Sequence, residues 1–370
     1  MKKLILPSLA IAVLAIAAVL WYNRQSTTTP ATASNSIRVA AVLNLTGPSA
    51  RFDTIKQTTL GIARERLRKL YPKLELELRT FDAGGSADIT KASVRQAQQW
   101  GARYYLSGTS PTALAIAADV RGLNPAVVQI ANAANPEFGP PRPGEYRFWP
   151  DWKQEAQLVL QVLREQKYPK ALLIRSSDPY SEALTKELRT QAGQGEPIDF
   201  QVLPYDPAGT PDFRPALLRA KAEQVPVVVV FGLPPGITAL CNQLRDAEWT
   251  GALIGGVNIN LALDAYAKAK LTGPFFAIQT EAMQTELRAE SEASAFRREY
   301  EAAEKGTPPF HALYLADALY FIAEAHRSPS PASTVVERQA AVRNFESASG
   351  TISVNADGTL SLIMQARKLH

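Results

Sequence analysis

Two arginines, a pair of hydroxyls and one carboxamide are the side chains of this sequence best placed to take hold of a small polar molecule. Arg51 follows the turn Thr46-Gly47-Pro48, and Arg175 ends the apolar run 171–174, so each stands where a strand gives way to a helix. A guanidinium there suits bidentate capture of a carboxylate or phosphate, or is simply solvated at the surface. Ser110 and Thr112 lie where the run Tyr104-Tyr105-Leu106 turns into a helix through Gly108-Thr109. Helix N-terminal N–H groups and nearby hydroxyls hold a ligand carboxylate well, although Ser110 reads equally as an ordinary cap. Ala133 and Ala134 are small enough to let a ligand reach the backbone. Phe52 can form an apolar wall. Tyr180, at the start of a later helix, either covers a ligand or packs as a plain aromatic. Asn258 can hydrogen-bond a neutral group such as an amide.

Catalytic constellations are missing. His311, His326 and His370 are the only histidines, and none belongs to a metal-ligand spacing such as His-Glu-x-x-His. There is no Gly-x-Ser-x-Gly elbow and no Gly-x-x-x-x-Gly-Lys loop. In the turn 232–236, Pro234 and Pro235 remove N–H donors that a phosphate cradle would need. His311, beside Phe310, reads as a packed or capping residue, and Glu299 and Glu301 as charged helix surface near Arg297 and Arg298. Cys241 is the single cysteine, so no intramolecular disulfide is possible; among Ile237, Leu240 and Leu244 it reads as a buried, inert thiol. The expectation is a protein that is no enzyme and needs no metal and no cofactor.

The elements that would position these residues alternate. The β-branched run 37–43 is followed by a helical pattern through Leu60, Ile62, Ala63 and Leu67. Leu74, Leu76 and Leu78 then alternate with Glu75, Glu77 and Arg79 in the period of a strand. Ser86 can cap a helix running to Trp100; the run at 104–106, a short helix and a strand at 126–130 follow. A Pro-rich passage, 136–150, leads to a second series with strands at 171–174, 200–203, 225–231 and 252–254. Its helices follow Trp152 and span 180–191, 212–222 and the run around Leu240. Residues 350–354 and 359–363, flanking Asn355-Ala356-Asp357-Gly358, read as a hairpin. Such order implies βαβ units, parallel sheets and a crevice at the carboxyl ends of the strands, suited to a small molecule.

Composition narrows the class. The 370 residues are 46% hydrophobic and 20% charged, as in globular proteins, and can bury one large or two ordinary cores. Lys2, Lys3 and Arg24 account for three of the net +5 charges, which leaves no concentrated basic field for nucleic acid. After Lys2-Lys3, residues 4–22 are uncharged and close to the length that crosses a bilayer as a helix. The positive end should stay cytoplasmic and the rest be exported. No cysteine follows for lipid attachment, and Ala31-Thr32-Ala33 lies far from the apolar run for a cleavage site. The expectation is an anchor at 4–22, or a signal segment, with a flexible tether up to residue 36.

In the order of these pieces the chain resembles the type I periplasmic solute-binding proteins, in the leucine/isoleucine/valine-binding branch that serves ABC importers. The opening strand with its Thr-Gly turn, Asp82, Gly108-Thr109-Ser110 and Asn135-Pro136-Glu137 carry the resemblance in the first half. Tyr146-Arg147-Phe148-Trp149-Pro150 resembles the first hinge crossover. Asp178-Pro179-Tyr180, Asp212-Phe213 and the helix 310–318 carry it further. The resemblance implies an α/β fold of two Rossmann-like lobes with parallel central sheets joined by a multi-crossover hinge. Residues 37–148 and 276–328 would form the first lobe, and 149–275 and 329–370 the second. It also implies a small-molecule ligand held between lobes and an ABC permease in the membrane as partner.

The sequence departs from that pattern after the strand 252–254. Relatives that bind α-amino acids place a carboxylate there for the ammonium, whereas this chain continues Gly255-Gly256-Val257-Asn258 without an acid, and Leu233-Pro234-Pro235 replaces family aromatics. A desolvated ammonium without its partner would lose several kcal/mol. The functional expectation is an extracytoplasmic solute-binding protein taking an amino acid, amide or carboxylate, with a ligand sensor or a ligand-free interaction module of the same fold as alternatives.

Overall fold

The computed structural model describes residues 36–47, 50–138, 142–195, 197–283, 288–327, 331–332 and 334–370. The first lobe begins with β1 (Ile37–Leu43), α1 (Ala50–Leu70), β2 (Leu76–Asp82) and α2 (Ala87–Gln99). It continues with β3 (Tyr104–Ser107), α3 (Ser110–Val120), β4 (Val128–Ala131) and β5 (Glu145–Arg147). Its sheet is parallel throughout, in the order β2-β1-β3-β4-β5. β1 is covered on both faces, which is why its residues are apolar almost without interruption. β2 lies at the edge and is half-buried, which is why it alternates. Ser86 caps α2 as expected, its Oγ accepting from Ile89 N at 3.3 Å.

The second lobe contains α4 (Trp152–Glu165), β6 (Lys170–Ser176), α5 (Pro179–Ala192), β7 (Asp199–Tyr205), α6 (Arg214–Ala222) and β8 (Val227–Phe231). α7 (Pro234–Asp246), β9 (Ala252–Gly255), a 3₁₀ turn at Val257–Leu261, α8 (Leu263–Ala269) and β10 (Phe275–Thr280) follow. After them come α9 (Glu292–Glu304), α10 (Phe310–His326), α11 (Val335–Ala340), β11 (Asn344–Ser347), β12 (Gly350–Val354), β13 (Leu360–Ser361) and β14 (Met364–Lys368). The second sheet runs β14-β10-β9-β8-β6-β7, with only β14 antiparallel. β8, Val-Val-Val-Val-Phe, is wholly buried near its middle. Cys241 is buried and unpaired, and burial pushes its thiol up to about 11, as expected of an inert residue.

The expected lobe limits need correction. β10 pairs with β9, Phe275 opposite Leu253, so residues 276–280 complete the second sheet and do not belong to the first lobe. α9 and α10 do pack on α1, and Arg66 of α1 is ion-paired with Glu292 and with Glu299, the latter at 2.7 Å. Residues 335–361, expected in the second lobe, cover α10 instead. Phe345 lies 5.4 Å from Phe321, and Thr359 bridges to Arg147. This is why α10 is apolar on every side: it is enclosed between α1 and the small sheet β11-β12-β13. Only β14 returns to the second lobe, so the chain crosses between lobes three times, after β5, β10 and β13. The expected anchor at 4–22 and the tether up to residue 35 lie outside the described residues. Among the described residues no helix is long and apolar enough to cross a membrane.

Candidate ligand-binding site

The carboxyl ends of the parallel strands from both lobes meet around one cavity of about 550 Å³. On the first-lobe side, Asp53 sits fully buried in the first turn of α1. Its Oδ2 accepts from Asn44 N at 2.8 Å and from Asn44 Nδ2 at 3.0 Å, and Lys56 Nζ stands 3.1 Å from its Oδ1. Lys56, which lines the cavity, also donates to Gly108 O. Burial pushes the Lys56 ammonium below the usual lysine value, against the pull of Asp53. A side chain at Gly108 would put a Cβ 2.4 Å from Asp53 Oδ1, so glycine is what lets the strand end approach the carboxylate. Asn44 Nδ2 reaches on to Thr109 Oγ1 and Thr112 Oγ1, both at 3.2 Å, and ties the ends of β1 and β3 together.

Ser110 and Ala134 line the cavity as expected. Ser110 is not the cap of α3, a position Thr109 holds without a side-chain capping bond; the Ser110 Oγ instead accepts from Asn135 N at 3.1 Å. That contact joins the turns after β3 and β4. Among the described residues Ala134 N–H makes no hydrogen bond within the protein. Thr112 and Ala133 do not reach the cavity wall. Thr112 is held behind it by Asn44, and Ala133 packs with Ala113, Ala117, Ala131 and Phe138. Phe52 forms a wall and meets His311 edge-on at 6.2 Å between ring centres. Trp149, from the first crossover, adds its ring 6.5 Å from Tyr180 and 5.7 Å from Phe310.

On the second-lobe side, Asp178 caps α5, accepting from Tyr180 N at 2.9 Å and Ser181 N at 3.0 Å. Tyr180 lines the cavity and is buried. Its hydroxyl donates to Glu155 Oε2 at 2.5 Å, while Glu155 Oε1 accepts from Val257 N at 2.9 Å. Among the described residues no cation accompanies Glu155, and burial raises its carboxyl to about 7 against those two hydrogen bonds. Asn258, next to Val257, lines the cavity with Leu233, Pro234 and Leu261, and its carboxamide has no protein hydrogen-bond partner among the described residues.

Both arginines stand outside the walls. Arg51 is exposed, its guanidinium 4.7 Å from the centre of the Phe52 ring, because α1 turns that position toward solvent. Arg175 is drawn to Glu182 at 3.1 Å and to the Ser176 carbonyl at 3.1 Å. The structure therefore brings together Phe52, Ser110, Ala134, Tyr180 and Asn258, and leaves Arg51, Thr112, Ala133 and Arg175 aside.

Lys56, Asn132, Leu261 and His311 are lining residues that sequence reasoning missed. The signal for Lys56 was its position three residues after Asp53 on a helix. His311 gave none, since an imidazole beside a phenylalanine reads as packing. Among the described residues no group of three or more His, Cys, Asp or Glu side chains could hold a metal.

The sequence profile of the family described as periplasmic binding protein matches residues 36–365. No curated protein matches the chain by sequence. Among solved structures, the branched-chain amino acid transporter substrate-binding protein of Streptococcus pneumoniae, in complex with isoleucine, is similar with a TM-score of 0.74 at 16% identity. That match covers 90% of this chain and 99% of the other. A solute-binding protein of an ABC transporter from Rhodopseudomonas palustris, in complex with 3,4-dihydroxybenzoic acid, gives 0.73 at 17% identity over 90% and 93%. Another from R. palustris, in complex with benzoate, gives 0.68 at 16% over 90% and 93%.

Proposed function

The chain belongs to the type I periplasmic binding proteins of the leucine/isoleucine/valine-binding group, and from that premise we propose that it captures a small carboxylic acid with an apolar body and presents it to an ABC importer. The family implies an extracytoplasmic location, and the segment 4–22 would bring the chain there. The observation that carries the reading is the cavity itself, which is walled by both lobes and largely aromatic and aliphatic. At one edge the turns after β3 and β4 offer the Ser110 hydroxyl and the Ala134 backbone N–H. An anion fits those donors without a cationic side chain, as at other helix N-termini.

An α-amino acid of the kind held by the S. pneumoniae protein fits less well. Its ammonium would need a free carboxylate, and the three acids nearby are engaged: Asp53 by Asn44 and Lys56, Asp178 by the N-terminus of α5, Glu155 by Tyr180 and Val257. The apolar walls suit a ring or branched chain such as the benzoates of the R. palustris proteins. The test is thermal unfolding of the full chain with benzoate, aliphatic monocarboxylates, amides and leucine. A bound ligand at 100 times Kd stabilises by about 2.7 kcal/mol and raises the midpoint by several degrees. Stabilisation by monocarboxylates and not by leucine is the expected result; stabilisation by leucine alone would overturn the reading.

A further inference from the structure

We propose that His311, together with Asn258, is a specificity-determining residue of the cavity that selects an aromatic carboxylic acid bearing a hydroxyl group over the unsubstituted acid. The inference rests on the carboxylic-acid reading above and deepens it. His311 is 7% exposed, lines the cavity, and makes ring contacts with Phe52 and Phe310 but no hydrogen bond to protein among the described residues. Asn258, 9% exposed, is in the same condition on a wall of the other lobe. Neither side chain spends its hydrogen-bonding capacity on the protein, so a ligand that fills the cavity and displaces its water must bond them or leave them stranded, and two such groups in one cavity point to a ligand that supplies what the protein does not.

Their chemistry defines that group. Burial and the neighbouring Lys56 charge lower His311 to about 3, so its ring is neutral and offers one donor and one acceptor. The Asn258 carboxamide likewise offers both. A hydroxyl donates and accepts, and so satisfies either side chain. A second carboxylate only accepts, and would bring a charge for which no free cation waits, because Lys56 is committed to Asp53 and Gly108 O. The Phe52 and Trp149 rings beside these groups match an aromatic skeleton for the hydroxyl.

Calorimetric titration of the full chain with benzoate, 3-hydroxybenzoate, 4-hydroxybenzoate and 3,4-dihydroxybenzoate tests this. A site built to bond a hydroxyl rejects the analogue lacking it, and the best hydroxylated acid is expected to bind at least about tenfold more tightly than benzoate. His311→Phe, which keeps the ring and removes both nitrogens, should bring the two within about twofold. His311→Gln, which restores a donor and an acceptor, should retain part of the preference. Equal affinities in the wild-type chain, or a preference that survives His311→Phe, would overturn the inference while leaving the carboxylic-acid reading standing. Binding of none of the four acids would overturn the inference, and the carboxylic-acid reading falls with it only where the aliphatic monocarboxylates also fail to stabilise the chain. If His311→Phe does not fold, the wild-type series and His311→Gln decide.

Discussion

The two lobes bury a carboxylate beside the same cavity in opposite ways. In the first lobe Asp53 is matched by a cation: Lys56 stands 3.1 Å away, and two N–H donors of Asn44 complete the shell. In the second, Glu155 has two hydrogen bonds, from Tyr180 and Val257 N, and no cation among the described residues. The first arrangement resembles a bolt, since charge and geometry are both satisfied and the strand ends of β1 and β3 are drawn together. The second leaves a carboxyl that burial raises to about 7, behind Tyr180, which lines the cavity. The difference teaches that the first lobe holds its buried carboxylate by charge and hydrogen bonds together, and the second by hydrogen bonds.

Breaking the bolt should have the largest effect. Lys56→Met strands a buried Asp53 charge and is expected to destabilise by about 3–5 kcal/mol in urea unfolding. A loss below about 1 kcal/mol would show that the ion pair is not what secures the first lobe.

The next effect belongs to Glu155. Its folded value, raised to about 7, lies above the ordinary 4.5. The protonated form therefore contributes stability that is fully present below the ordinary value and is lost as pH rises through 7. Glu155→Gln mimics the protonated group, so the fall in stability between pH 5 and pH 8 should shrink by on the order of 2 kcal/mol relative to the parent chain. Asp317, also raised to about 7, contributes with the same sign in both proteins, and His311, lowered to about 3, contributes with the opposite sign below its ordinary 6.5. The difference between the two curves isolates Glu155. Identical curves would sink the assignment.

Adding a methyl group beside each carboxylate sharpens the contrast. Gly108→Ala would set a Cβ 2.4 Å from Asp53 Oδ1, and Gly256→Ala a Cβ 2.2 Å from Glu155 Oε1. Overpacking of this kind costs about 1–3 kcal/mol. Gly108→Ala should be the more damaging, because Asp53 is short and pinned by two donors and an ion pair whereas the longer Glu155 can retreat; chemical denaturation of the two variants ranks them. The smallest effects are expected at the arginines. Arg51→Ala and Arg175→Ala should each alter stability by less than about 1 kcal/mol. Each should also leave the affinity for a bound carboxylate unchanged, measured by the same calorimetry.

Much of the scaffold was legible. Apolar runs covered on both faces marked β1, β6 and β8, and Ser86 marked the start of α2, because these signals are local. The lobe limits were less so. β10 is an apolar strand that would suit either sheet, and only its pairing with β9 places it in the second. Phe52, Ser110, Ala134, Tyr180 and Asn258 could be named from the sequence as residues of a crevice because they lie at turns where strands end, and the structure sets them around one cavity. Arg51 and Arg175 were expected there for their chemistry, yet one faces solvent and the other is held by Glu182. Helical phase and a nearby acid decide that, and neither is visible in residue type.

What the sequence by itself determined was the alternation of strands and helices, the absence of catalytic and metal-binding spacings, and the lack of an acid at the turn after β9. Each follows from residue type and short-range spacing, so no folding is needed to see it. The tertiary structure alone decided that Lys56 meets Gly108, that Glu155 lies behind Tyr180, and that His311 from α10 reaches the same cavity as Asn258. These partners are separated by 52, 25 and 53 positions in the chain. Only packing of the lobes brings such groups within reach of one another, and burial then changes what each can do.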